Sequence, residues 1–381
     1  GYNNWQKVDC KELIRAEIVV RPIQEKIISA LKSLGGEADR VTVATDYDRE
    51  GELIGVEALK IVQEAKPRLK ADRVRYSAIV KDEIIKAFQD SGAVDYDLAA
   101  SGEARQIIDL VWGAALTRYI SLTSGRLGKE FLSVGRVQSP TLALIVDREK
   151  EIQSFVPQPY WEIFADLEKE LRVQHANGRI WSKDEVDGII SRLGPEAVIR
   201  SIETKKRIDR PPTPFDTTNF IAAASGIGLS AANAMRIAEW LYTNGYISYP
   251  RTDNTVYPPS IDLVGLARLF LKGAFAEEAA RLLQGKMQPT RGKRSTTDHP
   301  PIYPTAALEK GILKDDQWKV YELVVRRFFA TLAEACVWDA TSLKVDIGPE
   351  PFRANGARLV EPGWRYYYPY SKAEERILPA L

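Results

Sequence analysis

The feature that most constrains the fold of this sequence is a mainly helical block enclosed by two stretches with strand periodicity. Residues 161–168 alternate apolar and polar side chains, and residues 343–347 alternate in the same way near the other end of the chain. Proline-rich segments at 157–159 and 211–214 precede the first strand stretch and the helical block. Period-two alternation is typical of strands that bury one face. This order predicts a β-rich domain into which a helical domain is inserted.

The first 150 residues have the pattern of an α/β domain. The β-branched run Arg40–Thr45 predicts a short buried strand. Apolar residues at helical spacing between Ile23 and Leu34 predict a helix that ends at Gly35-Gly36. Further helices are predicted at 53–65, over most of 81–120, and at 138–152.

Composition limits the kinds of partner and compartment. The 381 residues include 53 Lys plus Arg and 52 Asp plus Glu, so a nucleic-acid site has to be a local basic surface. The longest uncharged run, Thr217–Met235, carries polar residues throughout and does not predict a membrane span. Two cysteines, Cys10 and Cys336, exclude a disulfide scaffold and a four-cysteine zinc site. They favour a reducing, cytoplasmic compartment.

An acidic cluster follows the predicted strand directly. Asp46, Asp48 and Glu50 are spaced two residues apart. Ligands bind at the carboxyl ends of strands in α/β sheets, and closely spaced carboxylates attract a hard cation such as Mg²⁺. A solvated acidic turn that places negative charge at a helix N-terminus explains the same spacing. The spacing alone leaves both interpretations open.

A second chemical segment places Tyr249 two residues before Arg251, at the end of a predicted short strand, Tyr246–Tyr249. A phenol with a pKa of about 10 attacks a phosphodiester only when a nearby cation favours its oxyanion. Arg251 can supply that cation and can stabilise the charge that develops on phosphorus. Most strand tyrosines only pack, so a structural role stays open as well.

Two further segments contain polar side chains suited to a nucleic-acid backbone. Residues 296–301 include His299, one of only two histidines, and basic residues precede them. Residues 133–140 place Arg136, Gln138 and Ser139 around a glycine, although a loop that caps the next helix has a similar composition. The second histidine, His175, is expected at the surface.

Taken in order, these four segments resemble the motifs of type IA DNA topoisomerases, most closely the archaeal topoisomerase I/III branch. The run from Asp46 resembles the acidic motif of the Toprim domain, and residues 133–139 resemble the strand-binding motif. Residues 245–253 resemble the active-site tyrosine motif, and residues 299–305 resemble the histidine segment. Each motif is weak alone, but the ordered set is highly specific.

The resemblance implies a role for each site residue. Tyr249 would be the nucleophile that forms a 5′-phosphotyrosine with one DNA strand, and Arg251 would stabilise the transition state. Asp46, Asp48 and Glu50 would hold Mg²⁺, and His299 would assist together with Asp253. The residues that would contact the single strand are Arg49, Arg105, Arg136, Gln138 and Ser139. The covalent ester would conserve the bond energy, in agreement with the absence of a G-x-x-x-x-G-K-[ST] sequence.

The resemblance also implies a multidomain α/β fold, the toroidal core of the family. The expected domains are a partial Toprim domain at 1–92, a partial helical base domain at 93–154, a β-rich arch at 155–210 and 336–381, and a mainly helical tyrosine domain at 211–335. The family's first Toprim strand, with its essential glutamate, and the C-terminal base helices are expected to be missing.

The expected activity is ATP-independent, Mg²⁺-dependent relaxation of negatively supercoiled DNA. The expected partner is single-stranded or negatively supercoiled DNA rather than a membrane, and the expected state is a monomer in the cytoplasm, associated with the nucleoid. Two alternatives stay open: a catalytically silent fragment that binds single-stranded DNA, and a Toprim-type nuclease.

Overall fold

The computed structural model describes residues 2–296, 299–371 and 374–380. The chain forms two compact units. The first comprises Gly1–Tyr76 and Asp82–Val156, and the second comprises Ser77–Lys81 and Pro157–Leu381. The boundaries predicted at 92/93, 210/211 and 335/336 stay predictions, since each falls within a unit.

The first unit is an α/β assembly around a small parallel sheet. Its helices are α1 (Cys10–Ile14), α2 (Glu25–Glu37), α3 (Arg49–Ala65), α4 (Lys81–Gln89), α5 (Tyr96–Thr123) and α6 (Gln138–Ser154), and its strands are β1 (Arg40–Val43) and β2 (Lys70–Arg73). The strands pair in parallel, with Val41 opposite Ala71. Helix α3 connects them and packs against α2 and α5. The connecting helix therefore begins at the carboxyl end of β1, next to the acidic residues.

Helix α2 differs from its predicted form. It continues through the glycine pair to Glu37, because Gly35 is buried where α2 packs on Val62 of α3. Its apolar residues are not core residues: Ile27 is 59% and Leu34 67% exposed. Helical spacing of apolar residues predicted the helix correctly but did not predict that this apolar face would be exposed.

The second unit contains a five-stranded antiparallel sheet in the order β3-β4-β7-β6-β5. The strands are β3 (Phe164–Leu167), β4 (Leu171–His175), β5 (Ala197–Asp209), β6 (Cys336–Ile347) and β7 (Glu350–Glu361), and α7 (Lys183–Arg192) lies between β4 and β5. The expectation that His175 lies at the surface is wrong. It is 1% exposed, and its Nε2 lies 3.1 Å from Glu350 Oε2. Pairing of β4 with β7 buries this side chain.

A helical block lies between β5 and β6, as the sequence order predicted. Its helices are α8 (Thr217–Gly226), α9 (Ala231–Thr243), α10 (Leu263–Leu269), α11 (Ala276–Gln284) and α12 (Asp315–Leu332). Ser230 is the N-cap of α9, and its Oγ accepts a hydrogen bond from Asn233 N at 3.3 Å. Helix α12 supplies much of the core, including Val324, Phe328 and Phe329, each with no exposed surface. The tyrosine segment is attached to this core.

Among the described residues, no single helix is long and apolar enough to cross a membrane. Helices α8 and α9 pass that test only as a pair, and they meet at an angle of 116°.

Candidate active site

The acidic loop between β1 and α3 is held in place at the start of the helix. Asp48 is the N-cap of α3, and its Oδ1 accepts a hydrogen bond from Gly51 N at 2.7 Å. Thr45 Oγ1 donates to Gly51 O at 2.6 Å. A Cβ on residue 51 would overlap the carbonyl oxygen of Asp46, so the loop folds back on the helix only because this residue is glycine. Asp46 and Asp48 are thus both positioned at the carboxyl end of β1.

A buried arginine at the end of β2 holds this loop by hydrogen bonds to its backbone. The guanidinium of Arg73 donates to Glu52 Oε2 at 2.7 Å and to the carbonyl oxygens of Thr45 and Asp46 at 2.8 Å each. Both charged side chains are completely buried, and Glu52 Oε1 also accepts from Asp95 N at 2.8 Å. We call this pair the Arg73–Glu52 clamp. No motif pointed to Arg73; the only indication was Glu52, the last carboxylate of the acidic run.

The three carboxylates assigned to magnesium are not gathered into one ligand set. Among the described residues, no group of three or more His, Cys, Asp or Glu side chains is arranged to hold a metal ion. Asp48 is engaged at the helix N-terminus, and Glu50 is ion-paired with Arg105. Carboxylate oxygens are nevertheless the donors that Mg²⁺ takes, commonly from one or two side chains with water completing the shell. The residues fit such a site by chemistry and by position on the loop.

Helix α5 brings the acidic loop and the segment around Arg136 to one face. Arg105 and Asp109 are four residues apart on α5, and they bind Glu50 and Arg136, respectively. The Arg136–Asp109 contact is bidentate, with Arg136 Nη2 donating to Asp109 Oδ2 at 3.0 Å. The hydrogen bond from Arg136 lowers the pKa of the Asp109 carboxyl below its ordinary value. Two predicted strand-contacting arginines are therefore held by carboxylates on or beside α5.

The other predicted strand-contacting residues of this unit lie at helix starts. Arg49 is the first residue of α3 and is exposed, and Gln138 is the first residue of α6 and is exposed. Ser139 N donates to Gly135 O at 3.0 Å, so the glycine loop closes onto the start of α6.

The tyrosine segment lies beside the histidine segment in the second unit. The strand predicted at Tyr246–Tyr249 is wrong, since this segment forms a single β-bridge with the described residues, between Ile247 and Pro304. Two backbone hydrogen bonds flank this bridge, from Ser248 N to Tyr303 O at 2.9 Å and from Thr305 N to Tyr246 O at 3.0 Å. The ladder goes no further, because Tyr303 N donates to Ser248 Oγ at 2.9 Å and Tyr249 N donates to Ser77 O. Thr305 Oγ1 also donates to the carbonyl of Gly245 at 2.7 Å.

The Tyr249 ring is 6% exposed and is packed between aromatic rings. Its centroid is 5.1 Å from that of Tyr242 and 4.4 Å from that of His299. Its backbone N donates to Ser77 O at 2.8 Å. The turn before it requires Gly245, which has φ +75°, because a Cβ there would lie 2.6 Å from Ile79 O. The structure thus brings together Tyr249 and His299, 50 residues apart in sequence.

The backbone of His299 is anchored by the residues that follow Tyr249. Thr252 Oγ1 donates to His299 O at 3.2 Å, and Asn254 Nδ2 donates to the same oxygen at 3.0 Å. His299 itself is 2% exposed. Thr297 and Asp298, which belong to the predicted histidine segment, lie outside the described residues.

Arg251 and Asp253 are both engaged in ion pairs at the surface. Arg251 Nε donates to Glu239 Oε1 of α9 at 3.0 Å, and Nη2 contacts the same oxygen. Asp253 Oδ2 lies 3.5 Å from Arg294 Nη1. Glu239 was not indicated by any sequence motif. It is the carboxylate that holds the predicted transition-state arginine.

Comparison with known proteins places the chain in a family. A family profile described as DNA topoisomerase matches residues 93–381, and a Toprim domain profile matches residues 9–79. DNA topoisomerase 1 of Archaeoglobus fulgidus is 53% identical over 380 residues, which are 100% of this chain and 57% of that protein. DNA topoisomerase 1 of Thermoplasma acidophilum is 41% identical over 385 residues, covering 100% of this chain and 49% of that protein. The chain spans about half the length of these curated relatives.

The fold comparison agrees. The structure of full-length topoisomerase I from Thermotoga maritima matches with a TM-score of 0.75 and 25% identity, covering 100% of this chain and 63% of that one. The two profile matches, the archaeal relatives and the fold together establish that this chain belongs to the type IA DNA topoisomerase family.

Proposed function

We propose that this chain carries the strand-cleaving centre of a type IA topoisomerase, with Tyr249 as nucleophile. The phenol oxygen of Tyr249 attacks a backbone phosphorus, the bond from phosphorus to the 3′-oxygen breaks, and a 5′-phosphotyrosine forms. The phenol loses its proton and the departing 3′-oxygen gains one. Reversal reseals the strand, so the cycle needs no ATP.

The observation that carries this proposal is the direct packing of Tyr249 on His299, at 4.4 Å between ring centroids. Hydrogen bonds from Thr252 and Asn254 fix the His299 backbone next to the tyrosine segment. An imidazole packed against the phenol can contact the phosphate that the phenol attacks or can relay the proton of the phenol. That role needs His299 at this place, whereas a purely structural tyrosine would be packed as well by any apolar ring.

Arg251 supplies positive charge next to the nucleophile, and Glu239 holds it until DNA arrives. A guanidinium bound to a carboxylate can exchange that partner for a phosphate, because both present paired oxygens to the same fork of donors. Since the Arg251–Glu239 pair lies at the surface, the exchange costs little. We therefore assign Arg251 to the transition-state charge and Glu239 to its position in the resting enzyme.

Mg²⁺ belongs to the acidic loop in this proposal. Asp46, Asp48 and Glu50 would hold it, and the bound ion would neutralise backbone phosphate charge and keep the cut ends aligned. The chain's own contribution is the position of the loop, which the Arg73–Glu52 clamp fixes through two carbonyl oxygens.

The single strand would be held by Arg49, Arg105, Arg136, Gln138 and Ser139, with Asp253 assisting His299. Arg105 and Arg136 already form carboxylate pairs on α5, so they present ordered guanidinium groups. Passage of a second strand through the protein-linked break would relax negatively supercoiled DNA. A monomer suffices, because the proposed residues all belong to one chain.

The decisive experiment traps the covalent intermediate. The chain is mixed with a single-stranded oligonucleotide labelled at its 3′ end and with Mg²⁺, then quenched in denaturant. A 5′-phosphotyrosine carries the 3′ part of the DNA, so the label should move with the protein. With the label at the 5′ end, a shorter free oligonucleotide should appear instead.

Matched variants separate the alternatives. Tyr249→Phe should abolish the adduct, while Tyr246→Phe, the same change three residues earlier, should preserve it. Cutting that survives Tyr249→Phe would identify a Toprim-type nuclease. Binding without any cutting by the unmodified chain would identify a silent single-strand-binding fragment.

A further inference from the structure

A basic cavity lies on one face of the five-stranded sheet, apart from every motif described above. Arg172 of β4, Arg353 of β7 and Arg376 of the C-terminal segment line a cavity of about 270 Å³. Gln174 and Asn355 line the same cavity with amide groups. We call these five residues the sheet arginine site.

The register of the sheet explains why these side chains share one face. Gln174 lies opposite Arg353 in the β4–β7 pair, and Arg172 and Asn355 are each two residues away along their strands. Arg376 lies opposite Ala357 across a separate bridge on β7, two residues beyond Asn355. Successive side chains alternate between faces, so all five point to the same side. The other side carries the buried apolar residues Leu171, Val173, Phe352 and Ala354.

Charge pairing separates this cluster from its neighbours. Elsewhere on or beside the sheet, several basic groups are neutralised by acids, as in Arg192–Glu350, Arg200–Asp346 and Lys206–Asp339. Within the described part of the chain, neither Arg353 nor Arg376 forms an ion pair.

Two other members of the site, Arg172 and Gln174, each contact an acidic side chain. Arg172 lies 3.7 Å from Asp166 Oδ1 and stacks over the Phe164 ring at 4.6 Å from the centroid. Gln174 Nε2 donates to Glu162 Oε1 at 3.0 Å. Lys344 lies directly opposite Arg353 in the β6–β7 pair and adds another positive charge. Two acids therefore border the site, and neither is paired with Arg353 or Arg376.

Physical chemistry defines the ligand. Guanidinium groups crowded around one cavity repel each other, and an anion between them turns that repulsion into attraction. A phosphate presents several acceptor oxygens to planar guanidinium forks and to amide donors. Phe164, which is 43% exposed, also lines the cavity, and Arg172 stacks over its ring, so a base can stack on this aromatic–guanidinium pair. The arginines alone would also suit an acidic peptide, and the exposed aromatic ring beside them favours a ligand with stacking bases.

We propose that the sheet arginine site binds a backbone phosphate of single-stranded nucleic acid, with an adjacent base stacked on Phe164. The site shares no residue with the Tyr249 segment or the acidic loop. It rests on the proposed function only for the identity of the ligand as DNA. It gives the chain a second point of attachment to a strand.

Fluorescence anisotropy of a labelled single-stranded oligonucleotide of about 30 nucleotides, titrated with the 381-residue chain, tests this assignment. The double variant Arg353→Gln/Arg376→Gln should bind roughly tenfold more weakly, since hydrogen bonds to charged groups are lost. The slope of log Kd against log salt should fall by about 0.7, because one phosphate is no longer neutralised and each neutralised phosphate of a single strand contributes about 0.7. The control Arg200→Gln/Lys206→Gln, an equal change of charge on β5, should bind like the unmodified chain.

A charge-conserving variant and competing anions test the geometry of the site and the identity of its ligand. Arg353→Lys/Arg376→Lys keeps the charge and loses the fork, so intermediate affinity is expected. Unchanged affinity of the double Gln variant, or equal competition by polyglutamate and by oligonucleotide, would overturn the proposal. So would binding of inorganic phosphate that depends on these arginines while DNA affinity does not.

Trapping of the covalent adduct keeps this test separate from that of the proposed function. The double Gln variant should still form the Tyr249-dependent adduct at saturating DNA. If the unmodified chain forms the adduct but DNA affinity does not depend on Arg353 and Arg376, only the proposal for the sheet arginine site is wrong. If DNA affinity depends on the two arginines but the unmodified chain forms no adduct, only the proposed strand cleavage is wrong.

Discussion

The two units hold their candidate functional residues by different means. In the second unit, Tyr249 belongs to a continuous apolar cluster that includes Phe328 and Phe329. In the first unit, the loop with Asp46 is fastened by the Arg73–Glu52 clamp, a completely buried ion pair. None of the residues of α6, all within the described part of the chain, is buried, and its Leu144 is 73% exposed.

The two kinds of support respond differently to the loss of a single contact. Apolar packing is the sum of many small contacts, so the loss of one contact leaves the rest in place. A polar clamp depends on a few directional hydrogen bonds, and the loss of one partner leaves a buried charge uncompensated. We therefore expect the tyrosine segment to tolerate single changes better than the acidic loop does.

The largest expected effect comes from removing the clamp. Arg73→Leu leaves Glu52 buried without its partner and should destabilise the first unit by about 3–5 kcal/mol. Hydrogen exchange measured through a urea titration should show the β1–α3 region opening early while α12 stays protected. The double variant Arg73→Leu/Glu52→Leu should regain much of the loss, because no charge is then left unpaired. Equal destabilisation of both units would contradict the comparison.

A smaller effect is expected at the polar cluster of the second unit. Glu350 accepts from Arg192 Nε at 2.6 Å and contacts His175. Glu350→Gln should cost about 1.5–3 kcal/mol, since hydrogen bonds to a charged group are weakened. Urea unfolding followed by the same hydrogen-exchange readout should place this loss in the sheet. A loss as large as that of Arg73→Leu would remove the contrast between the units.

The same carboxylate predicts a pH dependence. The hydrogen bond from Arg192 lowers the pKa of Glu350 below its ordinary 4.5. Its contribution to stability is therefore fully present above pH 4.5 and is lost as the pH falls through the lower folded value. Urea titrations of the unmodified chain and of Glu350→Gln should converge as the pH is lowered through this range. Curves that stay parallel would show that Glu350 makes no such contribution.

A local backbone change sharpens the comparison at the tyrosine. Gly245→Ala places a Cβ at φ +75° and within 2.6 Å of Ile79 O, which should cost about 1–3 kcal/mol. The displaced turn leads directly to Tyr249. The yield of covalent adduct should therefore fall by more than the lowered melting temperature of the variant accounts for. Gly226→Ala is the matched control, since a Cβ there meets nothing within 4 Å. Equal adduct yields from both variants would contradict a role for this turn.

The smallest expected effect is at Glu239. Glu239→Gln removes the carboxylate that competes with DNA for Arg251. Exposed ion pairs contribute about 0.2–1 kcal/mol, so binding should tighten by about 1.4- to 5-fold. Oligonucleotide binding by Tyr249→Phe, with and without Glu239→Gln, measures this without cleavage. Glu361→Gln on β7 is the control, and weaker binding by the Glu239 variant would reverse the assigned role.

Local patterns predicted local structure well. The helical spacing of α2 is set by neighbours a few residues apart, and so is the alternation of β6. The strand expected at Tyr246–Tyr249 failed because distant residues take its hydrogen bonds: Tyr303 N, 55 residues from Ser248, binds the Ser248 hydroxyl, and Tyr249 N binds Ser77 O. The surface position expected for His175 failed for the same kind of reason, since Glu350 lies 175 residues away.

The order of the elements, the family and the residue types at the candidate site follow from the amino-acid sequence, because periodicity, caps and motifs are properties of short segments. Which charges meet depends on how the chain packs. Glu50 and Arg105 are 55 residues apart, Arg73 and Glu52 are 21 apart, and the arginines of the sheet arginine site come from three separate segments. These contacts depend on non-local packing and strand register, which no short stretch of sequence specifies.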